Sequence, residues 1–303
     1  MLKSRLCIAF FAFAVGCAPA QKPLTDYVNP MLGTATLWDS VDLGFKPTKR
    51  TWGAEVFPGS SLPNAMVQVS PVTKFHSGAG YQYEDSVIYG FTHTNKGHWN
   101  LCHIPLLPVT GTPTPGDYCS PFSHERESAA PGYYQVFLDR YGVDAQLSST
   151  LRCAFHKYTY PAGAAASLLA DLQRSNEHVR AWDIRKEGDN VFAGWQQTGE
   201  KMYFYAVANR PVTGIEPVVE GDREVRIVRF GEGDGALELR IGFSFVSEKN
   251  ARENLEAEML GKSFAEVRSE ATATWNDLLG RIRVEGGTER EKGLFYSSLY
   301  RSF

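Results

Sequence analysis

The sequence predicts a mainly β protein: a large antiparallel β-sandwich over residues 21–246, followed by helices. Three observations predict it. Leu237, Leu239, Ile241, Phe243 and Phe245 alternate with Glu238, Arg240, Gly242 and Ser244, the period of a strand with one apolar face. More than ten such runs, broken by turns and with no helical segment between them, fill about 220 residues, which argues for a sandwich. After residue 246 the apolar period changes from two to three and four.

The elements follow in order. Lys3 and Arg5 precede an apolar run from Leu6 to Val15, too short to span a bilayer, so residues 1–20 read as an export signal. Two exits are open: Ala14-Val15-Gly16-Cys17 resembles a lipobox that would lipidate Cys17, and Ala18-Pro19-Ala20 an ordinary cleavage site; the lipobox is favoured. The destination is the bacterial periplasm or the cell surface as a lipoprotein. Val143, Ala145 and Leu147 alternate with polar neighbours, and further strand-like runs are Val87–Thr94, Tyr133–Leu138, Cys153–Tyr160, Val179–Ile184, Val191–Gln197, Met202–Ala208 and Val225–Phe230. Gly231 to Gly235 reads as a turn. Ala251, Leu255 and Met259 predict a short helix. Ser263 with Glu266 forms a capping box, and Phe264, Val267, Ala271, Trp275, Leu278 and Leu279 share one face. These helices, residues 247–281, read as a linker. A brief strand is expected at Ile282–Val284, then a helix from Glu289 to Phe303 with Leu294, Phe295, Leu299 and Phe303 on its apolar face. Residues 282–303 read as the truncated start of a second, helical domain.

Apolar residues make up 43% of the 303 residues, enough for a sizeable core, and the formal charge is −3 with Lys and Arg scattered. That pattern excludes a clustered basic face for nucleic acid or acidic membrane. Aromatics reach 13%; rings stack on sugars and also fill cores. Cys102, Cys119 and Cys153 match no metal spacing and read mostly as buried thiols, with a Cys102–Cys119 bridge as the minor alternative.

Several blocks, in order, resemble glycoside hydrolase family 92. They are Tyr27 to Thr34, Phe57-Pro58-Gly59, Pro63 to Pro71, Gly80-Tyr81-Gln82-Tyr83, Ile88 to Thr94, Pro108 to Gly111, Phe122 to Glu125, Pro131 to Tyr134, Trp275-Asn276 and Phe295 to Tyr300. The resemblance runs from about residue 26 to 303. It implies an N-terminal β-sandwich, a helical linker and a C-terminal (α/α)6 barrel. It further implies exo-acting, inverting, Ca2+-dependent removal of terminal α-linked mannose. The catalytic acids and most calcium ligands are implied to lie in the barrel, beyond residue 303. The implied partners are α-mannoside glycans and the chain's own catalytic domain. The chain departs from the family at the loop after His93-Thr94 and in an insert-like stretch, Ala35 to Thr51.

Inverting hydrolysis needs two carboxyls roughly 6.5–9.5 Å apart. Glu84-Asp85 and Glu125/Glu127 read as solvated turns, so no catalytic residue is assigned; nor is a metal ligand, since no Asp/Asn-rich loop is present. The stretch Thr92–Asn100 is the strongest binding candidate: His93, Asn95, His98, Trp99 and Asn100 offer amides, imidazoles and a ring for sugar hydroxyls and faces. The competing reading is a loop that bonds to itself. Phe57 and Gly59 form a tight turn that lines a pocket or shapes the chain, with Trp52 and Glu55 beside it. His76, His156 and His178 read as core or surface residues, and His124 and Glu125 as structural. Two rival functions stand beside the mannosidase: a non-catalytic carbohydrate-binding or structural sandwich, and an aldose-epimerase-like enzyme, which needs a His base and a Glu acid in one concave face.

Overall fold

The computed structural model describes residues 22–37, 44–46, 54–96, 99–233 and 235–303, with the backbone alone at 95 and 96. In chain order the strands are β1 (Ser60–Ser61), β2 (Gln68–Val72), β3 (Val87–Ile88), β4 (Gly90–Thr92), β5 (Asn95–Lys96), β6 (Trp99–Asn100), β7 (Leu106–Val109), β8 (Ser120–Pro121), β9 (Glu127–Ala130) and β10 (Tyr133–Leu138). They continue as β11 (Val143–Ser149), β12 (Cys153–Thr159), β13 (Ser167–Ala170), β14 (Ala181–Lys186), β15 (Val191–Gln197), β16 (Lys201–Ala208), β17 (Val212–Glu220), β18 (Arg223–Phe230) and β19 (Leu237–Ser244). Three helices close the chain: α1 (Glu248–Glu258), α2 (Phe264–Leu279) and α3 (Glu289–Tyr300).

The mainly β, antiparallel expectation holds. Among the described residues one sheet has the order β1-β2-β4-β7-β13-β18-β17 and the other β14-β15-β16-β19-β12-β11-β10-β9. Val69, Phe91, Leu169 and Ile227 from the first sheet meet Val136, Leu147, Phe204 and Leu239 from the second in one apolar core. Burying these faces is the main driving force for the sandwich.

The first two helices, α1 and α2, cover the outer face of the second sheet, and α3 packs against α2 and residues 24–27. Tyr133, Cys153 and Phe155 pack there against Leu255 and Met259 of the α1 end and Phe264 and Val267 of α2. Ser263 and Glu266 make the expected capping box. The second half of β19 is consequently buried on both faces. Gly242 lies directly beneath α1: a Cβ there would stand 2.1 Å from the Ala251 carbonyl oxygen. Gly242→Val is therefore expected to lower stability by about 3 kcal/mol through overpacking. Urea denaturation checks it against Gly199→Ala, an open position that should move by less than about 0.5 kcal/mol.

Three local expectations are corrected. The run Val87–Thr94 divides into β3, paired with β8, and β4, paired with β2 and β7. No strand forms at residues 282–284; the Val284 amide donates to Tyr296 Oη (3.1 Å), which donates to the Ile282 carbonyl (3.2 Å). A tyrosine of α3 thus takes the bonds a strand partner would take. On α3 the inward face is Tyr296, Ser297 and Tyr300, whereas Leu294, Phe295 and Phe303 are exposed. The cysteines follow their main reading: Cys102, Cys119 and Cys153 are free thiols, the first and last of them buried, and the alternative Cys102–Cys119 bridge does not form.

Candidate functional site

The best-formed cleft, of about 720 Å3, lies where the sandwich meets α2 and α3. Gly33, Glu55 and Phe57 form one wall, Ser61 and Gln68 the floor, and Trp275, Ser297, Tyr300 and Arg301 the helical wall. Sequence-distant bonds hold the walls together. Arg301 donates to the Phe57 carbonyl (3.0 Å) and to the Pro30 carbonyl. The Asn29 amide donates to Ser297 Oγ (2.9 Å), and Trp275 Nε1 donates to the Ser61 carbonyl (2.8 Å). Behind these bonds Trp275, Tyr296, Tyr300, Leu279 and Val28 form a satellite core.

The loop that carries Glu55 is unusual locally. Glu55 has φ 51°, a left-handed conformation uncommon for a residue with a side chain. Its carboxylate packs where a Cβ at Gly78 would lie, within 2.6 Å, so Gly78 makes room for it. Gly59 does not line the cleft; it presses on β2, and a Cβ there would sit 1.9 Å from the Val69 carbonyl oxygen. That turn can be made only by glycine.

Chemically, the cleft offers ring faces, serine hydroxyls, one carboxylate and a guanidinium. Burial lowers the pKa of Arg301, with Tyr300 opposing, and among the described residues no carboxylate lies within ion-pair distance of it. Gln68 Oε1 is buried and makes no hydrogen bond within the described residues. Such an unpaired acceptor is costly unless a ligand donates to it. Calcium wants six to eight oxygen ligands, several of them carboxylates. The described residues hold no group of three or more His, Cys, Asp or Glu able to take a metal, and among its described lining side chains the cleft has one carboxylate, Glu55. These residues do not by themselves form a calcium site, and no step is assigned to the ion.

The sequence-predicted residues fall in different places. Glu55 and Phe57 line the cleft. Trp52, His98 and Cys17 lie outside the described residues. Asn95 enters a two-residue hairpin with Asn100, beside half-buried Trp99. Asn100 turns inward instead of toward a ligand: it is wholly buried, its Oδ1 accepts from the Cys102 amide (2.7 Å), and its Nδ2 donates to the Ala79 carbonyl (3.3 Å). His93 is likewise a core residue, 0% exposed. Its Nε2 stands 3.0 Å from His156 Nε2, one ring donating and the other accepting, and His156 Nδ1 lies 2.5 Å from Tyr158 Oη. Burial lowers the His93 pKa to about 3 and that of His156 well below its ordinary value. A histidine sealed between the sheets cannot serve as the base of an epimerase in a concave face, so His93 does not fill that role.

Glu127, read as solvated, is buried, with a side-chain exposure of 0%. It accepts from Tyr81 Oη (3.0 Å), Tyr134 Oη (2.5 Å) and His124 Nδ1 (2.6 Å). Burial first, and then this carboxylate, raise the pKa of both phenols. His124 is local, but the two phenols come from β10 and from the loop before β3, so spacing could not announce them. Arg301 and Ser297 were also missed, since each bonds across the seam, as was Gln68, whose buried acceptor has no local signal.

Fold and cleft together define a two-sheet sandwich joined to a helical layer, with a polar, ring-lined cleft on the seam. Comparison with known proteins gives the family. The glycosyl hydrolase family 92 N-terminal domain matches residues 27–254, and the glycosyl hydrolase family 92 catalytic domain matches residues 250–303. The chain belongs to glycosyl hydrolase family 92. It is 24% identical to an uncharacterized secreted glycosidase of Arthroderma benhamiae, over 91% of this chain and 41% of that protein. Its fold is similar to the family GH92 α-mannosidase BT3965 of Bacteroides thetaiotaomicron (TM-score 0.80, 26% identity, 92% of this chain and 41% of that one). The inverting family GH92 mannosidase BT2199 of the same species is also similar (TM-score 0.78, 25% identity, 92% and 39%). The chain thus spans about two fifths of the length of these relatives.

Proposed function

We propose that this chain is the N-terminal part of a calcium-dependent, inverting exo-α-mannosidase, and that its cleft is the sandwich half of the pocket for a terminal mannose. The carrying observation is that the cleft lies on the seam between the two matched regions: Gly33, Glu55, Phe57 and Gln68 come from one and Ser297, Tyr300 and Arg301 from the other. Two similar solved structures are α-mannosidases, and BT3965 has also been solved with mannoimidazole. The Phe57 ring offers an apolar surface to a sugar face, and Gln68 Oε1 an acceptor to a hydroxyl. In this reading residues 21–246 are the sandwich, 247–281 the linker and 282–303 the opening of an (α/α)6 catalytic domain, which supplies the acids and most calcium ligands.

The cleft's single carboxylate cannot perform inversion, which takes an acid and a base. The chain alone is expected to bind methyl α-mannoside weakly and to release no mannose from α-mannosides, with or without calcium. Phe57→Ala is expected to weaken binding at least tenfold by isothermal titration. Mannose release by the chain itself would overturn the proposal. Absence of mannoside binding would favour a purely structural sandwich. Export belongs to the same reading, since a relative is described as secreted. Mass spectrometry of the mature N terminus distinguishes lipidation at Cys17 from cleavage after Ala20.

A further inference from the structure

A second cleft, of about 780 Å3, shares no lining residue with the first. It is built from residues 173–182, between β13 and β14, with His76 and Arg223 at its margins. Its backbone is held rigidly. Gln196 Nε2 donates to the Leu172 and Arg174 carbonyls (2.9 Å each), Ser175 Oγ donates to the Leu101 carbonyl (2.6 Å), and Asn176 Nδ2 donates to the Asn100 carbonyl (2.6 Å).

Three arginines line this space, and the buried Asp171 carboxylate lies near two of them, Arg223 and Arg174. Arg174 lies over Phe75, 4.3 Å from the ring centroid, and makes one hydrogen bond, to Tyr118 Oη (3.1 Å). Stacking orients its plane while most of its five N–H donors stay available. Exposed Arg180 makes no side-chain hydrogen bond among the described residues. Arg223 is anchored by Asp171 Oδ2 (2.6 Å) and the Pro115 carbonyl (3.0 Å). The acid in the lining, Glu177, is engaged by Thr198 Oγ1 (2.6 Å) and lies beside His103 Nε2 (3.4 Å). Trp182 adds a ring to the wall, with the Arg226 guanidinium over one side of it, 5.3 Å from the centroid.

Oriented guanidiniums with free forks recognise tetrahedral oxyanions and carboxylates, and an adjacent indole suits the apolar face of a sugar. We propose that this cleft binds a saccharide carrying a phosphate or sulfate ester, with Arg174 and Arg180 on the ester and Trp182 against the ring. The proposal does not depend on the mannoside reading of the first cleft.

The test is calorimetric titration of the full chain with mannose 6-phosphate, mannose 6-sulfate, mannose and inorganic phosphate. The esters are expected to bind at least tenfold more tightly than mannose or inorganic phosphate. Arg180→Gln, at an exposed position without bonds to lose, is expected to weaken ester binding about tenfold while thermal stability is unchanged. Excess methyl α-mannoside is expected not to displace the ester. Equal affinity for inorganic phosphate and the esters would overturn it, leaving only a free-anion site. Undiminished binding by the Arg180 variant, displacement by the mannoside, or no ester binding would each overturn it as well.

Discussion

Lowering the pH from 7 to 5 is expected to cost the folded chain about 2 kcal/mol through buried His93, with buried His156 adding to the loss. His93 and His156 lie between the sheets with no exposed surface. Burial lowers the His93 pKa to about 3 and moves His156 in the same direction, with His93 adding to the effect. Unfolded, each titrates near 6.5. Below that pH the unfolded chain therefore binds the extra proton and the folded chain does not. The stability is fully present above about pH 6.5 and is lost as the pH falls toward the folded values. His93 gives up about 1.4 kcal/mol per unit in that window, or about 2 kcal/mol by pH 5, and His156 adds in the same direction. His103, also buried and lowered despite Glu177, steepens the loss. Domains are stable by only about 5–15 kcal/mol, so the effect is large. Urea midpoints across pH 5–7.5 measure it. The double variant His93→Phe, His156→Phe keeps ring volume and should flatten most of the slope. An unchanged slope would show that these imidazoles become charged within the fold.

The same pair shows where sequence reading stopped. His93 was expected at a binding surface because imidazoles suit sugar hydroxyls. Its partner stands 63 positions away, and nothing local tells a paired core histidine from a ligand-binding one. Alternation identified β11 and β19 because each has an apolar face over most of its length. It missed β17, an edge strand that is mostly exposed and contains Pro217, and β13, which is buried throughout and so shows no alternation. The α2 helix was legible down to its cap, since capping is local. The cleft was half legible. Glu55 and Phe57 came from the family-like block around Phe57-Pro58-Gly59, whereas Arg301 reaches Phe57 across 244 positions. Glu127 was misjudged for the same reason: the phenols that satisfy it arrive from other elements.

Trp275→Ala is the substitution expected to do most damage to cleft and fold together. The indole is 1% exposed and does three things at once. It fills the satellite core with Val28, Leu279, Tyr296 and Tyr300. It packs against Tyr300, with ring centroids 4.4 Å apart. It donates Nε1–H to the Ser61 carbonyl on β1. Removing a buried tryptophan typically costs about 3–5 kcal/mol, the lost transfer free energy plus the cavity left behind. The cavity would open directly into the cleft, since Trp275 lines it. Docking of α3 should loosen with it, and with α3 the Arg301 clamp on Phe57. Thermal unfolding and hydrogen exchange of the α3 amides report the two effects separately. Trp275→Phe restores most of the packing but not the bond to Ser61, and should cost about 1–2 kcal/mol. Protection of the α3 amides that survives Trp275→Ala would mean the helix is held mainly by its polar ties, Ser297 to Asn29 and Arg301 to Phe57, and that the satellite core is secondary.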